Sequence, residues 1–418
     1  MAKKSGMISN DATQQFIRRH RQDDVHQLAL QAHGDDGVDL QMALEQIAGW
    51  QSARRKLPSW ADIDGLWFPP QLSMEQCSSE PAARYKDAII KRLTSQTTNG
   101  ATNSFVDLTG GFGVDFSFLS QSFTKAVYVE RQEKLCEVAR HNFPLLGLCN
   151  AEVVCADAEA YLRSMPPTTV IYIDPARRDA CGKRTFAISD CTPDVVALRH
   201  LLTEKAEWVL VKLSPMLDWH KAVNDLQPYV REVHIVAVGG ECKELLLVLS
   251  LRHDVALTLH CVNDDTHFTC APNQTTSHTF IPHPSSIIHH PSPLIPPASV
   301  FFVFEPNAAI MKAGCFVQLS AAFGITPLAP NSHLFVSNSP IPSFPGRQFR
   351  VVDITSLNKK DLRRTLSGVT KANVAVRNFP LSANDLRRRL KLADGGNIYI
   401  FGTTLADNSH VLLMCEKV

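Results

Sequence analysis

The sequence lacks an uninterrupted run of the roughly 18 to 20 apolar residues that a membrane-spanning helix needs. Its first residues, MAKKSGMISNDATQQF, have no apolar core of the kind found in secretory signal peptides. The eleven cysteines form no CxxC pair and no paired Cys/His spacing, which argues against a zinc ribbon or a disulfide framework. We therefore expect a cytoplasmic protein with reduced thiols, no membrane contact and no bound metal; the oligomeric state is left open.

The length of 418 residues, with 44% hydrophobic and 20% charged residues, predicts two to three globular folding units. Apolar residues at helical spacing predict a helical unit over residues 1–70. An α/β domain is expected over residues 71–255. A Pro- and His-rich linker with a small α+β, ferredoxin-like unit is expected over 256–328, and a last α+β domain over 329–418.

Within residues 104–255, short β-branched runs alternate with helical stretches. The runs are SFVDL, AVYVE, EVVC, TVIYI, EWVLVK and VREVHIVAV. Such alternation predicts right-handed βαβ units and a parallel sheet covered on both faces. The Gly239-Gly240 turn leaves no room for a helix before KELLLVLSL, so the last strand is expected to be antiparallel. The pattern predicts a Rossmann-like sheet of six parallel strands plus one antiparallel strand.

A glycine-rich turn follows the first of these strands, at the sheet edge where open α/β folds bind ligands. Glycine allows the backbone to approach a ligand closely. The candidate cofactor-binding residues here are the strand-end acid and the turn itself: Asp107, Thr109, Gly110, Gly111, Gly113 and Asp115.

Acidic residues also follow the next two strands. Glu130 stands at the tip of the second strand, where a carboxylate can bind both ribose hydroxyls. Asp157, followed by Ala158, comes after the third strand and is placed to accept from an adenine amine. Asp115 replaces the third glycine of the dinucleotide pattern, which favours a nucleoside cofactor without a diphosphate. The alternative is a glycine turn that serves helix packing alone.

The motifs DLTGGFGVD, YVE, ADAEAYL and IYIDPARR resemble those of class I methyltransferases in order and spacing. The whole chain further resembles a bacterial family of RNA methylases that end in a THUMP-like domain. The matching stretches are KLPSW, LSMEQCSSEPAARYK, VKLSPMLDW, FEPNAAIMKAG and LRRRLKLADGGNIYIFGTTLAD.

This resemblance implies S-adenosylmethionine as the cofactor, with Asp107 and the three glycines lining its pocket. It also implies that residues 78–85 close over the methionine end of the cofactor. A buried connecting strand over LSMEQCSSE, with an N-cap for the following helix, is an equally good interpretation.

The fourth strand ends in Asp174-Pro175-Ala176-Arg177-Arg178, beside the expected methyl donor. Enzymes that methylate nucleic-acid amines commonly place Asp/Asn-Pro-Pro-aromatic here, so that the acid holds the amine and the ring stacks on the base. This chain has alanine and arginine in the last two places, which leaves the acceptor atom open. The predicted catalytic residues are Asp174, Pro175, Arg177 and Arg178.

Residues 347–391 contain twelve Lys/Arg and three Asp, although the net charge of the chain is only +1. Clustered cations of this kind neutralise phosphates, so structured RNA, either rRNA or tRNA, is the expected partner. A solvated helix face is the other explanation. Two further hypotheses for the whole protein remain: a small-molecule methyltransferase, and a catalytically silent RNA-binding protein that keeps a cofactor pocket.

Overall fold

The computed structural model describes residues 10–31, 37–95, 103–177, 188–252, 256–272 and 301–418. Arg178 and residues 273–300 of the predicted Pro- and His-rich linker lie outside these residues. The chain forms two compact units: the first comprises Met1–Val233 and Glu244–Val255, and the second comprises His234–Lys243 and Ala256–Val418.

In the described residues six helices precede the first strand, and several of them begin where the sequence offers capping groups. Asn10 and Asp39 accept hydrogen bonds from backbone amides at the starts of α1 and α3, while Pro58 occupies the first turn of α4. The helices are α1 (Asp11–His20), α2 (Val25–Gln31), α3 (Leu40–Lys56), α4 (Pro58–Ala61), α5 (Gln71–Gln76) and α6 (Glu80–Ser95).

The segment LSMEQCSSE begins as a helix, so the interpretation as a buried connecting strand is wrong. Helix α5 buries Met74, and the Lys56 ammonium donates to the carbonyls of Met74 and Glu75 at 3.0 and 2.7 Å. A cation on these terminal carbonyls stabilises the end of a helix. A partner 18 residues away along the chain therefore supports a helix that local patterning did not indicate.

The central sheet of the first unit has the predicted parallel strands and a hairpin end. Its strands are β1 (Ser104–Asp107), β2 (Lys125–Glu130), β3 (Ala151–Cys155), β4 (Thr168–Ile173), β7 (Ala206–Leu213), β8 (Val230–Val238) and β9 (Glu241–Leu249). These seven strands belong to a nine-stranded sheet, in which their order is β8-β9-β7-β4-β1-β2-β3, and β9 runs antiparallel to β7. Residues His234–Lys243 of the β8–β9 hairpin belong to the second unit. Pairs β1–β2, β2–β3, β1–β4 and β4–β7 are parallel. The predicted Rossmann-like class is confirmed.

Helices cover this sheet, and a short ribbon follows its fourth strand. The helices are α7 (Val114–Leu119), α8 (Glu133–Leu145), α9 (Ala158–Ser164), α10 (Val195–Lys205) and α11 (Trp219–Asp225). The ribbon pairs β5 (Ala176–Arg177) with β6 (Cys191–Thr192). Strands β1 and β4 are almost wholly buried, which is expected of central strands in a parallel sheet covered on both faces.

The described residues of the second unit form a hairpin, a mixed sheet and four helices. The hairpin is β10 (Thr258–Asn263) with β11 (Thr266–Cys270). The sheet has the order β13-β14-β12-β15-β18-β17-β16. Its strands are β12 (Phe302–Pro306), β13 (Thr326–Pro327), β14 (Phe335–Ser337), β15 (Gly346–Ser356), β16 (Asn373–Arg377), β17 (Ile398–Thr404) and β18 (His410–Lys417). The helices are α12 (Ala308–Ala313), α13 (Phe316–Phe323), α14 (Lys359–Thr365) and α15 (Ala383–Leu390).

Two apolar clusters form the core of this second unit. One includes Val303, Phe349 and Phe401, and the other packs Leu386 and Leu390 of α15 against the sheet. On each of α14 and α15 the cations lie on the helix face that points away from this core. Both helices fall within the basic segment 347–391. Throughout the described part of the chain, every helix is too short or too polar to cross a membrane.

Candidate functional site

The glycine turn is held by hydrogen bonds to the ends of two strands. Asp107 accepts from the amide of Thr109 at 2.9 Å, and the amide of Gly110 donates to Val129 O at 2.8 Å. A Cβ on Gly110 would lie 2.1 Å from the Tyr128 ring, so only glycine fits there. Gly111 and Gly113 have φ values of +55° and +85°, which L residues with side chains rarely adopt.

Glu130 lies against this turn. Its Oε2 accepts from the amide of Gly111 at 3.0 Å, and its Oε1 accepts from the amide of Gln132 at 2.8 Å. The Tyr128 hydroxyl donates to Gly111 O, so both the amide and the carbonyl of Gly111 are held by the second strand. The second strand therefore delivers both a carboxylate and a phenol to the glycine turn.

Asp157 follows the third strand and caps the next helix. Its Oδ1 accepts from the amides of Glu159 and Ala160, both at 3.0 Å, and its side chain is exposed. Ala158, half-buried, is the first residue of α9. The amide of Ala156 donates to Glu130 O at 3.1 Å. The residue before Asp157 is therefore bound directly to the end of the second strand.

Negative charge is concentrated at this edge of the sheet. Burial raises the pKa of Asp107 well above its ordinary value, and the neighbouring carboxylates Asp115, Asp174 and Glu130 raise it further. The hydrogen bond from Thr109 opposes both effects. A cationic ligand bound here would reduce the repulsion among these acids.

Asp115, in the first turn of α7, points into a buried network. Its Oδ2 accepts from the hydroxyls of Ser78 and Tyr172, each at 2.7 Å. Burial alone would raise the pKa of Asp115, but the ammonium groups of Lys86 and Lys212 overcome this and lower it to about 2. Asp115 is therefore ionised and already bound by protein groups.

Lys86 lies at the centre of this network and is completely buried. Its ammonium is 2.6 Å from Glu244 Oε2 on β9 and 3.1 Å from Asp115 Oδ1. It also donates to Ser78 Oγ at 3.0 Å. The segment before the first strand is thereby tied to the last strand of the sheet.

Asp174 ends the fourth strand and is paired with a lysine from the fifth sheet strand. Lys212 Nζ is 2.6 Å from Asp174 Oδ2 and 3.7 Å from Asp115 Oδ2. Burial raises the pKa of Asp174, while Lys212 acts in the opposite direction. The amide of Asp174 donates to Thr109 Oγ1 at 2.6 Å, which joins this strand end to the glycine turn.

Two further predicted residues, Pro175 and Arg177, follow Asp174 along the chain. Pro175 is buried, and the backbone of Arg177 pairs with Cys191 in the β5–β6 ribbon. In the segment before the first strand, Ser78 and Glu80 are also buried; Glu80 accepts from the amide of Ser59 at 2.9 Å and pairs with Arg84.

Taken together, the hydrogen bonds connect the ends of strands β1, β2 and β4 through the glycine turn. Sequence reasoning grouped Asp107, Glu130 and Asp157 in one crevice and placed Asp174 beside the expected methyl donor. It missed Lys86 and Glu244, whose contact joins residues 158 positions apart. Nor does the sequence indicate that Lys212 pairs with Asp174 and lies near Asp115.

A solved structure resembles this chain over nearly its whole length. A crystal structure described as a "putative methyltransferase" from Porphyromonas gingivalis W83 aligns with a TM-score of 0.79 at 32% identity, covering 97% of this chain and 98% of that one. The profile of the THUMP domain-like family matches residues 346–417. The chain belongs to the class I methyltransferases with a C-terminal THUMP-like domain. A ferredoxin-like domain profile matches residues 302–345 of this methyltransferase.

Other solved methyltransferases resemble it much less. A class I S-adenosylmethionine-dependent methyltransferase structure from Listeria monocytogenes aligns at 10% identity, covering 60% of this chain and 93% of that one, with a TM-score of 0.38. An rRNA methylase from Streptococcus thermophilus aligns at 14% identity, covering 40% and 96%, with a TM-score of 0.30. Likenesses this weak carry no argument about substrate. The search of curated proteins gives no significant match to this methyltransferase.

Proposed function

We propose that the protein transfers a methyl group from S-adenosylmethionine to a base in structured RNA, either rRNA or tRNA. The observation that carries the proposal is the hydrogen bond from the amide of Gly111, in the glycine turn, to the Glu130 carboxylate at the carboxyl edge of a parallel sheet. Nucleoside ligands bind at this edge in open α/β folds.

The hydrogen-bond acceptors at this edge fit an adenosine. Glu130 uses each carboxylate oxygen once, for the amides of Gly111 and Gln132. A carboxylate oxygen accepts two hydrogen bonds, so capacity remains for both ribose hydroxyls. Asp157 caps its helix through Oδ1, which leaves Oδ2 for an adenine amine.

The roles of Asp107 and Asp115 follow from their burial. Asp107 accepts from the amide of Thr109 and is placed to accept from the ammonium of the cofactor's methionine end as well. Asp115 is bound by Ser78, Tyr172 and Lys86, and these contacts hold the first turn of α7 in place. Thr109, Gly110, Gly111, Gly113 and Ala158 supply close backbone around the ligand.

S-adenosylmethionine supplies the transferable methyl group when bound. Asp174 and the Pro175 carbonyl would hold the acceptor base beside it, and positioning of this kind provides much of the rate enhancement in such transfers. Lys212 binds Oδ2 of Asp174 and keeps the carboxylate in one orientation. Arg177 and Arg178 would contact a phosphate or stack on the base.

The RNA part of the proposal depends on the second unit. Exposed cations on α14 and α15 present a basic surface within residues that match a THUMP domain-like profile. The exposed cations are Lys359, Lys360, Arg363, Arg364, Arg388 and Arg389. Such a surface suits a phosphate backbone, because released counterions favour binding.

Two experiments test these parts. Calorimetric titration with S-adenosylmethionine should show binding that Glu130→Gln weakens and that Glu152→Gln, an exposed acid on the neighbouring strand, leaves unchanged. Mass spectrometry of RNA nucleosides should show one modified base missing from cells that lack the protein. Its return with the wild-type chain, but not with Asp174→Ala, identifies the acceptor; an identical nucleoside profile in all three strains refutes the RNA substrate.

A further inference from the structure

Two cysteines and a glutamate converge beside the second and third strand ends of the first unit. Glu133 opens helix α8, and Cys136 lies three residues later on the same helix face. Cys155 ends β3 and is in register with Glu130 at the end of β2. The two thiol sulfurs and a Glu133 carboxylate oxygen all lie within 4.8 Å of one another.

These three groups are already in contact. The Cys136 thiol donates to Glu130 O at 3.3 Å and the Cys155 thiol donates to Arg131 O at 3.8 Å, so both sulfurs are held at the ends of the second and third strands with Glu133 beside them. We propose that Glu133, Cys136 and Cys155 form a zinc-binding site with three protein ligands and one position open to solvent. This site is separate from the proposed methyl transfer and does not depend on it.

The geometry suits zinc. Sulfur lies about 2.3 Å from zinc and carboxylate oxygen about 2.0 to 2.2 Å, so tetrahedral ligand atoms are about 3.3 to 3.8 Å apart. The observed limit of 4.8 Å therefore requires a contraction of at most about 1.0 to 1.5 Å between ligand atoms. Thiolates with one carboxylate select zinc over magnesium or calcium, which prefer all-oxygen sites.

Exposure at the site allows an ion to enter. Cys136 is buried, whereas Glu133 and Cys155 are exposed. A solvent molecule can therefore complete the coordination from the open side. Loading replaces two S–H bonds by two sulfur–zinc bonds and releases two protons to solvent, so affinity rises with pH.

Arg140 competes with the ion for Glu133. Its Nη1 is 2.8 Å from Oε1 of Glu133, which leaves Oε2 for the metal. A guanidinium this close also repels a cation. Arg140→Gln should therefore raise the affinity for zinc, a result opposite to that of every ligand substitution.

The experiment uses the full-length protein, reduced with a phosphine, and cobalt(II) as the spectroscopic probe. One equivalent of cobalt should produce a thiolate-to-metal charge-transfer band, and zinc should remove it. Cys136→Ser and Cys155→Ser should abolish the band. Glu133→Gln, an exposed change that leaves folding intact, should weaken binding by at least about tenfold, since even groups that only orient a ligand contribute about 10- to 100-fold.

Cys149→Ser is the matched control, because Cys149 is an exposed thiol of the same unit outside the cluster. It should leave the band unchanged. The proposal is overturned if no thiolate band forms, if the band survives Cys155→Ser, or if Glu133→Gln binds cobalt as tightly as the wild type. A band abolished by Cys149→Ser would equally refute it, since binding would then involve another thiol.

Discussion

Replacing Lys86 by methionine removes the central cation of the buried network while keeping a side chain of similar length. Glu244 and Asp115 would then face each other without the ammonium that lies 2.6 and 3.1 Å from them. Both carboxylates are buried, with exposed fractions of 3% for Glu244 and 8% for Asp115, so water cannot replace the lost partner. Lys212 compensates only partly, because it lies 3.7 Å from Asp115.

Removing one partner of a buried ion pair costs about 3 to 5 kcal/mol, since the remaining charge is left unpaired. For a unit of this size that loss lowers the melting temperature by about 6 to 20 °C. Lys91→Met is the control on the same helix: the side chain of Lys91 is 56% exposed and pairs with Asp87, so its loss should cost less than about 1 kcal/mol. Lys86→Met with Glu244→Leu should recover much of the loss, because apolar replacement of a whole pair is often neutral.

The effect should depend on pH in a definite direction. Asp115 has a folded pKa of about 2 against an ordinary value of 3.8, so its ionisation stabilises the fold above pH 3.8, and this contribution is lost as pH falls toward 2. Without Lys86 the folded pKa of Asp115 rises. The variant should therefore approach the wild type in stability below about pH 4.

Thermal and urea unfolding at pH 7, 5 and 3.5 measure this difference. The reasoning is refuted if Lys86→Met loses no more stability than Lys91→Met at pH 7. It is also refuted if the deficit is the same at all three pH values, because an unpaired buried carboxylate must become less costly when protonated.

Three other predictions concern the site and the second unit. Gly110→Ala should destabilise the first unit by about 1 to 3 kcal/mol and weaken cofactor binding, because the new methyl group would meet the Tyr128 ring at 2.1 Å. Calorimetric unfolding measures the first effect and ligand titration the second. Unchanged values would contradict the prediction. Glu130→Gln should weaken S-adenosylmethionine binding by about 10- to 100-fold, since hydrogen bonds to a charged group contribute about 1.5 to 3 kcal/mol; a titration equal to that of the wild type would remove Glu130 from the site. Arg388→Ala with Arg389→Ala should reduce the salt dependence of RNA binding by about 1 to 2 in the slope of log K against log salt, while Lys221→Ala on α11 should not; equal slopes would exclude α15 from the interface.

The fold was largely predictable because local patterning and chain connectivity decide it. Alternating β-branched runs and helical stretches place β1 to β4, and the Gly239-Gly240 turn requires the final antiparallel strand. Helix α5 was not indicated, since Lys56 caps its end from outside the segment. A support that comes from elsewhere in the chain leaves no periodic signal.

The candidate site was predictable at the strand ends and not behind them. Parallel strands bring their last residues to one edge, so Asp107, Glu130 and Asp157 could be grouped from order alone, with Asp174 at the end of the fourth strand. The pairing of Lys86 with Glu244 depends on three-dimensional packing across many strands. Glu133, Cys136 and Cys155 likewise converge without any short spacing motif, because Cys155 comes from the next strand.

The ion pair between α6 and β9 has a consequence for synthesis on the ribosome. Lys86 emerges long before Glu244, and 158 residues separate them. Until β9 has been made, the nascent first unit holds an ammonium whose strongest partner does not yet exist. A chain truncated before residue 244 should therefore remain a substrate for chaperones and proteases, and complete folding of this unit should wait for its final strand.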